Sequence, residues 1–204
     1  MLLVKKPQSY HAFSANTYIV ASDGECAIID PAVPYCEELI SGKLKYIFLT
    51  HAHFDHMLDI NSWASKTGAP VLVSEGDADK LSDGNLNCYT LFSGRNNGYY
   101  GKYQTVREGD TFALGSETLR VLELSGHTSG SIALLSEGMS FVGDTVFAGG
   151  GFGRWDLPTG DLNALKKSIG RICELDGDTV LYSGHGESTT VQKYIEEFKR
   201  QRFI

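Results

Sequence analysis

The stretch Thr50-His51-Ala52-His53-Phe54-Asp55-His56 packs three imidazoles and a carboxylate into six residues, His51 to His56. Few folds tolerate such a cluster. Protonated, the imidazoles would repel one another; buried and unpaired, all four groups would be costly. A divalent cation removes both difficulties, because neutral imidazole and carboxylate are its natural donors. The plainer alternative is a solvated His-rich turn. The run that leads into the cluster, Lys45 to Thr50 (KYIFLT), is short and apolar and fits a buried strand. The cluster therefore stands where a strand ends. On extended backbone His51 and His53 point the same way. Where the chain turns into the following helix, the adjacent Asp55 and His56 can address a second centre. One tetrahedral ion would struggle to take all four groups, so the spacing fits two ions.

Three later positions offer further donors. His127 lies in Ser125-Gly126-His127-Thr128, Asp144 in Val142-Gly143-Asp144-Thr145, and His185 in Ser183-Gly184-His185-Gly186. Each follows a run that reads as a strand, and each has a glycine beside it, which lets the backbone turn sharply and approach closely. Any one of them alone would more readily be a core or capping residue. Of the six histidines, only His11 falls outside these strand-end positions.

The rest of the chain reads as an α/β layered domain. Asn16 to Ala21 and Glu25 to Ile29 are β-prone runs separated by Ser22-Asp23-Gly24, a hairpin signal. Met57 to Lys66 has helical spacing and stops at Gly68 and Pro70. Strands are expected at Val71 to Val73, Thr118 to Leu124, Ser131 to Leu135, Ser140 to Val142 and Thr179 to Tyr182. Asp161 can cap a helix whose Leu162, Leu165, Ile169 and Ile172 share one stripe. Thr190 to Arg202 reads as a final amphipathic helix. Gly76 to Arg107 differs from all of these. Rich in Gly, Asn, Ser and Tyr, it shows little periodicity beyond a short helix near Asp77 to Leu81. We read 76–107 as a loop-rich insertion able to cover the site, with a plain surface excursion as the alternative.

Bulk properties narrow the function classes. At 204 residues, 42% hydrophobic and 21% charged, the chain suits one soluble domain over 1–204. A net charge of -7 argues against a nucleic-acid surface. No apolar run reaches the length of a membrane span, and Lys5-Lys6-Pro7 interrupts any secretory pattern. Cys26, Cys36, Cys88 and Cys173 are scattered without C-x-x-C spacing, which suits a reducing cytoplasm. The expected partner is a small-molecule substrate, with no nucleic acid and no membrane; the oligomeric state is left open.

The order H-x-H-x-D-H, His, Asp, His resembles that of the metallo-β-lactamase fold superfamily, and the resemblance spans nearly the whole chain. It implies a four-layer αβ/βα sandwich with a metal groove at the sheets' edge. On that template His51, His53 and His127 would hold one ion, Asp55, His56 and His185 a second, and Asp144 would bridge them. Ile29-Asp30-Pro31 matches an Asp that closes an early strand in the superfamily. Asp30 would then fix a ligand imidazole; a turn-forming Asp before Pro is the alternative.

Within the superfamily, Gly143-Asp144-Thr145 through Gly149-Gly150, followed by Gly153-Arg154, resembles the glyoxalase II (hydroxyacylglutathione hydrolase) branch, and Tyr182 to Gly186 fits its short relatives. Departures are Ser rather than Pro before Gly126-His127 and Gly184-His185, and Leu58-Asp59 where Gly-Gly is usual. The chain also ends soon after the last ligand, without the helical domain that helps full-length members grip glutathione.

What the resemblance implies is a hydrolase with two divalent ions, zinc foremost with iron or manganese as alternatives. A metal-bound hydroxide would attack a thioester carbonyl, and Asp55 would orient the nucleophile and manage its proton. Arg154, with Trp155 beside it, would reach a substrate carboxylate or else brace its loop through the adjacent Asp156. The rival readings are a mononuclear iron persulfide dioxygenase with two His and one Asp as ligands, and a lactonase or β-lactamase.

Overall fold

In the computed structural model, which describes residues 2–9 and 11–201, two six-stranded sheets account for most of the backbone pairing. The first sheet follows chain order: β1 (Leu3–Lys5), β2 (Tyr18–Ser22), β3 (Glu25–Ile29), β4 (Lys43–Phe48), β5 (Val71–Ser74) and β6 (Tyr103–Val106). Antiparallel pairing at β1-β2-β3 gives way to parallel pairing from β3 to β6. Ser22 pairs with Glu25, so the β2-β3 loop is Asp23-Gly24 alone, both at positive φ (45° and 78°). Such a turn matches the twist of its strands. Between β4 and β5 runs α1 (Ile60–Thr67), and before β6 comes the short α2 (Tyr89–Ser93).

The second sheet begins with three antiparallel partners, β7 (Thr111–Leu114), β8 (Glu117–Glu123) and β9 (Ile132–Ser136), then β10 (Met139–Gly143). A small hairpin of β11 (Val146–Phe147) and β12 (Gly151–Phe152) follows. The chain then crosses through α3 (Leu162–Cys173) to β13 (Val180–Ser183), which lies parallel to β10. It ends its pairing with β14 (Thr189–Thr190) and α4 (Val191–Arg200).

Alternation along the strands fills three separate cores. Val20, Ala27, Ile29 and Phe48 meet Leu119, Val121, Ile132 and Leu134 between the sheets. Their neighbours Ile19, Ile28 and Ile47 face the other way, against Ile60 and Trp63 of α1. On the far side Leu122, Leu124, Ala133 and Val142 pack on Leu165, Ile169 and Ile172 of α3 and Tyr194 of α4. Helix, sheet, sheet, helix is the four-layer αβ/βα sandwich expected.

Local departures from the sequence reading have physical causes. The Met57 to Lys66 helix begins only at Ile60, because Phe54–His56 forms its own 3-10 turn and Asp59 turns its carboxylate back onto Tyr35 N (2.6 Å) and Ser62 Oγ (2.9 Å). Thr190 does not extend the last helix but caps it, accepting from Lys193 N; Arg202 lies outside the described residues. Within 76–107 the chain forms a 3-10 helix (Glu75–Leu81), α2 and β6, the last pairing with β5 as the edge of the first sheet. Only Val106 of β6 is buried, so this strand has no apolar alternation for sequence to reveal. The four cysteines are unpaired. No helix among the described residues is long and apolar enough to cross a membrane.

Candidate metal centre

All seven candidate donors lie just past C-terminal strand ends, and the two sheets bring those ends to one edge. Past β4 come His51, His53, Asp55 and His56; past β8, His127; past β10, Asp144; past β13, His185. The structure gathers them into three overlapping groups: His51, His53 and His127; His51, His56 and Asp144; Asp55, His56 and His185.

In the first group three ring nitrogens form a near-equilateral triangle. His51 Nε2 to His53 Nδ1 is 3.1 Å, His53 Nδ1 to His127 Nε2 is 2.9 Å, and His127 Nε2 to His51 Nε2 is 3.2 Å. The outer nitrogens fix the tautomers. His127 Nδ1 lies 2.7 Å from the Arg154 carbonyl, an acceptor only, so Nδ1 carries the hydrogen and Nε2 is bare. Thr50 Oγ1 gives its hydrogen to Asp30 Oδ2 (2.7 Å), and so accepts from His51 Nδ1 at 3.3 Å. Two bare nitrogens thus face His53 Nδ1, whose own ring has no partner at Nε2; one hydrogen at most is available to the three. Donors of a tetrahedral zinc stand roughly 3.3 Å apart, close to the observed sides. Burial, reinforced by the neighbouring imidazoles, holds His51 far below the usual histidine range and His53 at about 3. Both are neutral at neutral pH, as metal donors must be.

The second group is richer in carboxylate. His56 donates Nδ1–H to Asp30 Oδ2 at 2.8 Å, leaving Nε2 turned toward Asp144 Oδ1 at 3.3 Å. Neither His56 Nε2 nor Asp144 Oδ1 has a hydrogen-bond partner, although both are buried. Asp144 Oδ2 lies 3.6 Å from His127 Nε2 and 3.5 Å from His185 Nε2, so this one carboxylate faces both groups. Asp55 Oδ2 accepts from His185 Nε2 at 3.1 Å. Burial alone would lower His56, but Asp30, Asp144 and Asp55 outweigh it and raise it well above its ordinary value. Burial would raise Asp144, yet His56, His127 and His185 hold it well below the usual carboxylate range. Asp55 is likewise lowered, by His56 and the His185 hydrogen bond, against its burial. The pocket thus favours positive charge between its carboxylates, and the unpartnered buried donors fit divalent cations.

Asp30, at φ 53°, is held by more than its place before a proline. Its Oδ1 accepts from Thr50 N (2.8 Å), while Oδ2 serves both Thr50 Oγ1 and His56 Nδ1. It orients one donor directly and another through Thr50.

Two supports escaped the sequence reading. Asp77 is fully buried, and its carboxylate accepts from Ala52 N (2.8 Å), Thr128 Oγ1 (2.9 Å) and Gly130 N (2.8 Å). It ties the His51-His53 loop to the His127 loop, with buried Lys80 3.3 Å away. Asn16 donates Nδ2 to the carbonyls of Ser183 (3.0 Å) and Gly186 (2.9 Å), and Tyr18 OH donates to Ser183 O (2.7 Å). The first sheet thereby holds the His185 loop of the second. A charge pair one helical turn apart, Asp77 and Lys80, was the available signal for the first; nothing local marked the second.

The donors open onto a cavity of about 380 Å³ whose walls include Phe54, Cys88, Phe92, Phe147, Arg154 and Leu157. Burial pushes the Cys88 thiol up to about 11, so it stays protonated and is no nucleophile. The Arg154 guanidinium is engaged with both oxygens of Asp156, at 2.8 Å each, the bracing arrangement. Trp155 is exposed and lies outside the cavity's lining.

Comparison with known proteins adds an independent line. A family model described as the metallo-β-lactamase superfamily matches residues 12–185. The hydroxyacylglutathione hydrolase GloC of Haemophilus influenzae is 31% identical over 201 residues, covering 88% of this chain and 89% of that one. Among solved structures, the B3 metallo-β-lactamase BLEG-1 superposes with a TM-score of 0.85 at 28% identity, over 96% of this chain and 97% of that one. A protein crystallised in a di-iron-bound form gives 0.80 at 28% identity, over 94% and 97%.

Proposed function

The chain belongs to the metallo-β-lactamase superfamily, and from that premise we propose that it is a dinuclear hydrolase that cleaves a thioester. At the coarser level it is a metal-dependent hydrolase of that superfamily. The observation that carries the two-ion reading is Asp144, whose oxygens lie within 3.3–3.6 Å of nitrogens from both donor groups. His51, His53 and His127 would hold one ion, Asp55, His56 and His185 the other, and Asp144 would touch both. Bound there, two divalent ions, zinc first by donor preference with iron or manganese as alternatives, would supply the acidified water and the electrophilic pull on a carbonyl that hydrolysis needs.

The chain's own side chains do the rest. Asp55, which lines the cavity and is held ionised at neutral pH, would orient the attacking water and accept its proton. Asp30 and the Arg154 carbonyl accept from the outer Nδ1 of His56 and His127, so Nε2 is the nitrogen each would turn to a metal. Phe54, Phe147 and Leu157 would give the substrate an apolar wall beside the donors. The thioester reading draws on the likeness to GloC. A second reading, hydrolysis of a β-lactam, draws on the likeness to BLEG-1.

Metal content of protein from native-like growth, paired with turnover of thioesters with and without glutathione, a lactone, a β-lactam and a persulfide, tests these readings. The expected result is two ions per chain and preferential thioester cleavage. One iron per chain with oxygen uptake on the persulfide would replace the hydrolase with a dioxygenase.

A further inference from the structure

Beside the metal cavity lies a second one, of about 440 Å³. Phe13, Phe54 and Phe92 line both, so the two chambers share an aromatic wall. The rings of Phe54 and Phe92 stand 5.2 Å apart, and those of Phe13 and Phe92 6.2 Å. Pro34, Leu58 and Tyr89 continue the apolar lining. The polar groups at its margin are already engaged: Asp59 with Tyr35 N and Ser62 Oγ, His11 Nδ1 with Phe13 N. Among the described residues no lysine or arginine lines this chamber. The metal cavity has Arg154 alone, and that is paired with Asp156. Phe13 and Phe92 are 56% and 52% exposed, apolar area that a ligand would remove from water.

We propose that the second chamber receives an uncharged apolar limb of the substrate, an alkyl chain or a phenyl ring on one side of the bond broken in the metal cavity. The inference rests on the hydrolase reading above and deepens it. Glutathione brings two carboxylates to walls that offer no free cation, within a chain of net charge -7; a small uncharged thioester brings what the walls can bury. A chamber of this size lies within the range of small-molecule sites.

The test uses the metal-loaded full chain and two series of unreactive thioethers, one lengthening the acyl-side chain from methyl to hexyl, the other the thiol side. Binding is followed by calorimetry, and kcat/KM is measured for the matching thioesters. Affinity should rise about fourfold per methylene along one series, and the glutathione thioether should bind more weakly than the hexyl compound. Leu58→Ala, which lines this chamber and not the metal cavity, should cut the hexyl-over-methyl gain at least tenfold and leave the methyl compound unchanged; Phe92→Ala, in the shared wall, should cut the same ratio. Leu91→Ala, exposed on the same helix, should change neither. Flat affinity along both series, or tighter binding of the glutathione thioether, overturns the proposal. If the thioethers bind in the expected order but no thioester is cleaved, the thioesterase reading falls and the chamber assignment stands. If thioesters are cleaved with flat series, the reverse holds.

Discussion

Asp144 has almost no freedom. Its carboxylate lies within 3.6 Å of nitrogens on His56, His127 and His185, and one of its oxygens is buried without a hydrogen-bond partner. Asp144→Ala should therefore lower metal occupancy and turnover together while the fold persists, measured by metal analysis and circular dichroism. Full activity with two ions bound would refute the bridging scheme. Asp77 acts at one remove, through backbone rather than donors. Asp77→Ala would leave Lys80 with Asp79, Ser129 Oγ and the Gly76 carbonyl, and would release Ala52 N, Thr128 and Gly130. The expected loss is about 3–5 kcal/mol of folding stability, from three buried groups left unsatisfied at about 1–3 kcal/mol each, read from denaturant unfolding. A loss below about 1 kcal/mol would mean that water takes over the carboxylate's role.

At the level of elements, the most informative contact is between the ends of β10 and β13. Gly184 N donates to Gly143 O at 2.7 Å, and a Cβ at position 184 would collide with Asp144 Oδ1 and His56 Cε1. Gly184→Ala should leave the helix content unchanged yet weaken metal binding by tenfold or more, checked by competition with a chromogenic chelator; unaltered affinity would show that the loop yields instead. Sequence made these strand ends legible because each donor follows an apolar run and a glycine. It made β2, β3, β4, β8 and β9 legible as short apolar or β-prone runs. It did not reveal β6, whose exposed faces lack alternation, nor the two-residue strands β11, β12 and β14, which are too short to show a period. The seven donor positions could be chosen from spacing, whereas the aromatic wall of Phe13, Phe54 and Phe92 could not. These rings come from three separate segments and meet only in three dimensions.

For the whole molecule, the donor cluster sets a pH dependence. Burial holds His53 at about 3 in the folded chain against an ordinary value of 6.5, and holds His51 low as well. Between those values the unfolded chain binds protons that the folded chain refuses, so stability falls as the pH drops. His56 is raised instead, so its contribution is complete below 6.5 and is lost only as pH climbs through its folded value. In chelator, lowering the pH from 6.5 to 4.5 should remove roughly 2 kcal/mol through His53 alone, seen as a lower urea midpoint. An unchanged or higher midpoint would mean that these imidazoles titrate as if exposed.

The donors are also divided between the sheets. His51, His53, Asp55 and His56 follow a strand of the first, and His127, Asp144 and His185 follow strands of the second. On the two-ion reading, a ribosome that has released only the first sheet would have delivered half of each ion's ligands and neither complete set. High-affinity loading would wait until His185 had emerged and β13 had docked beside β10. A bound ion would then certify that synthesis and folding had passed that point, and a chain interrupted earlier would not acquire the chemistry.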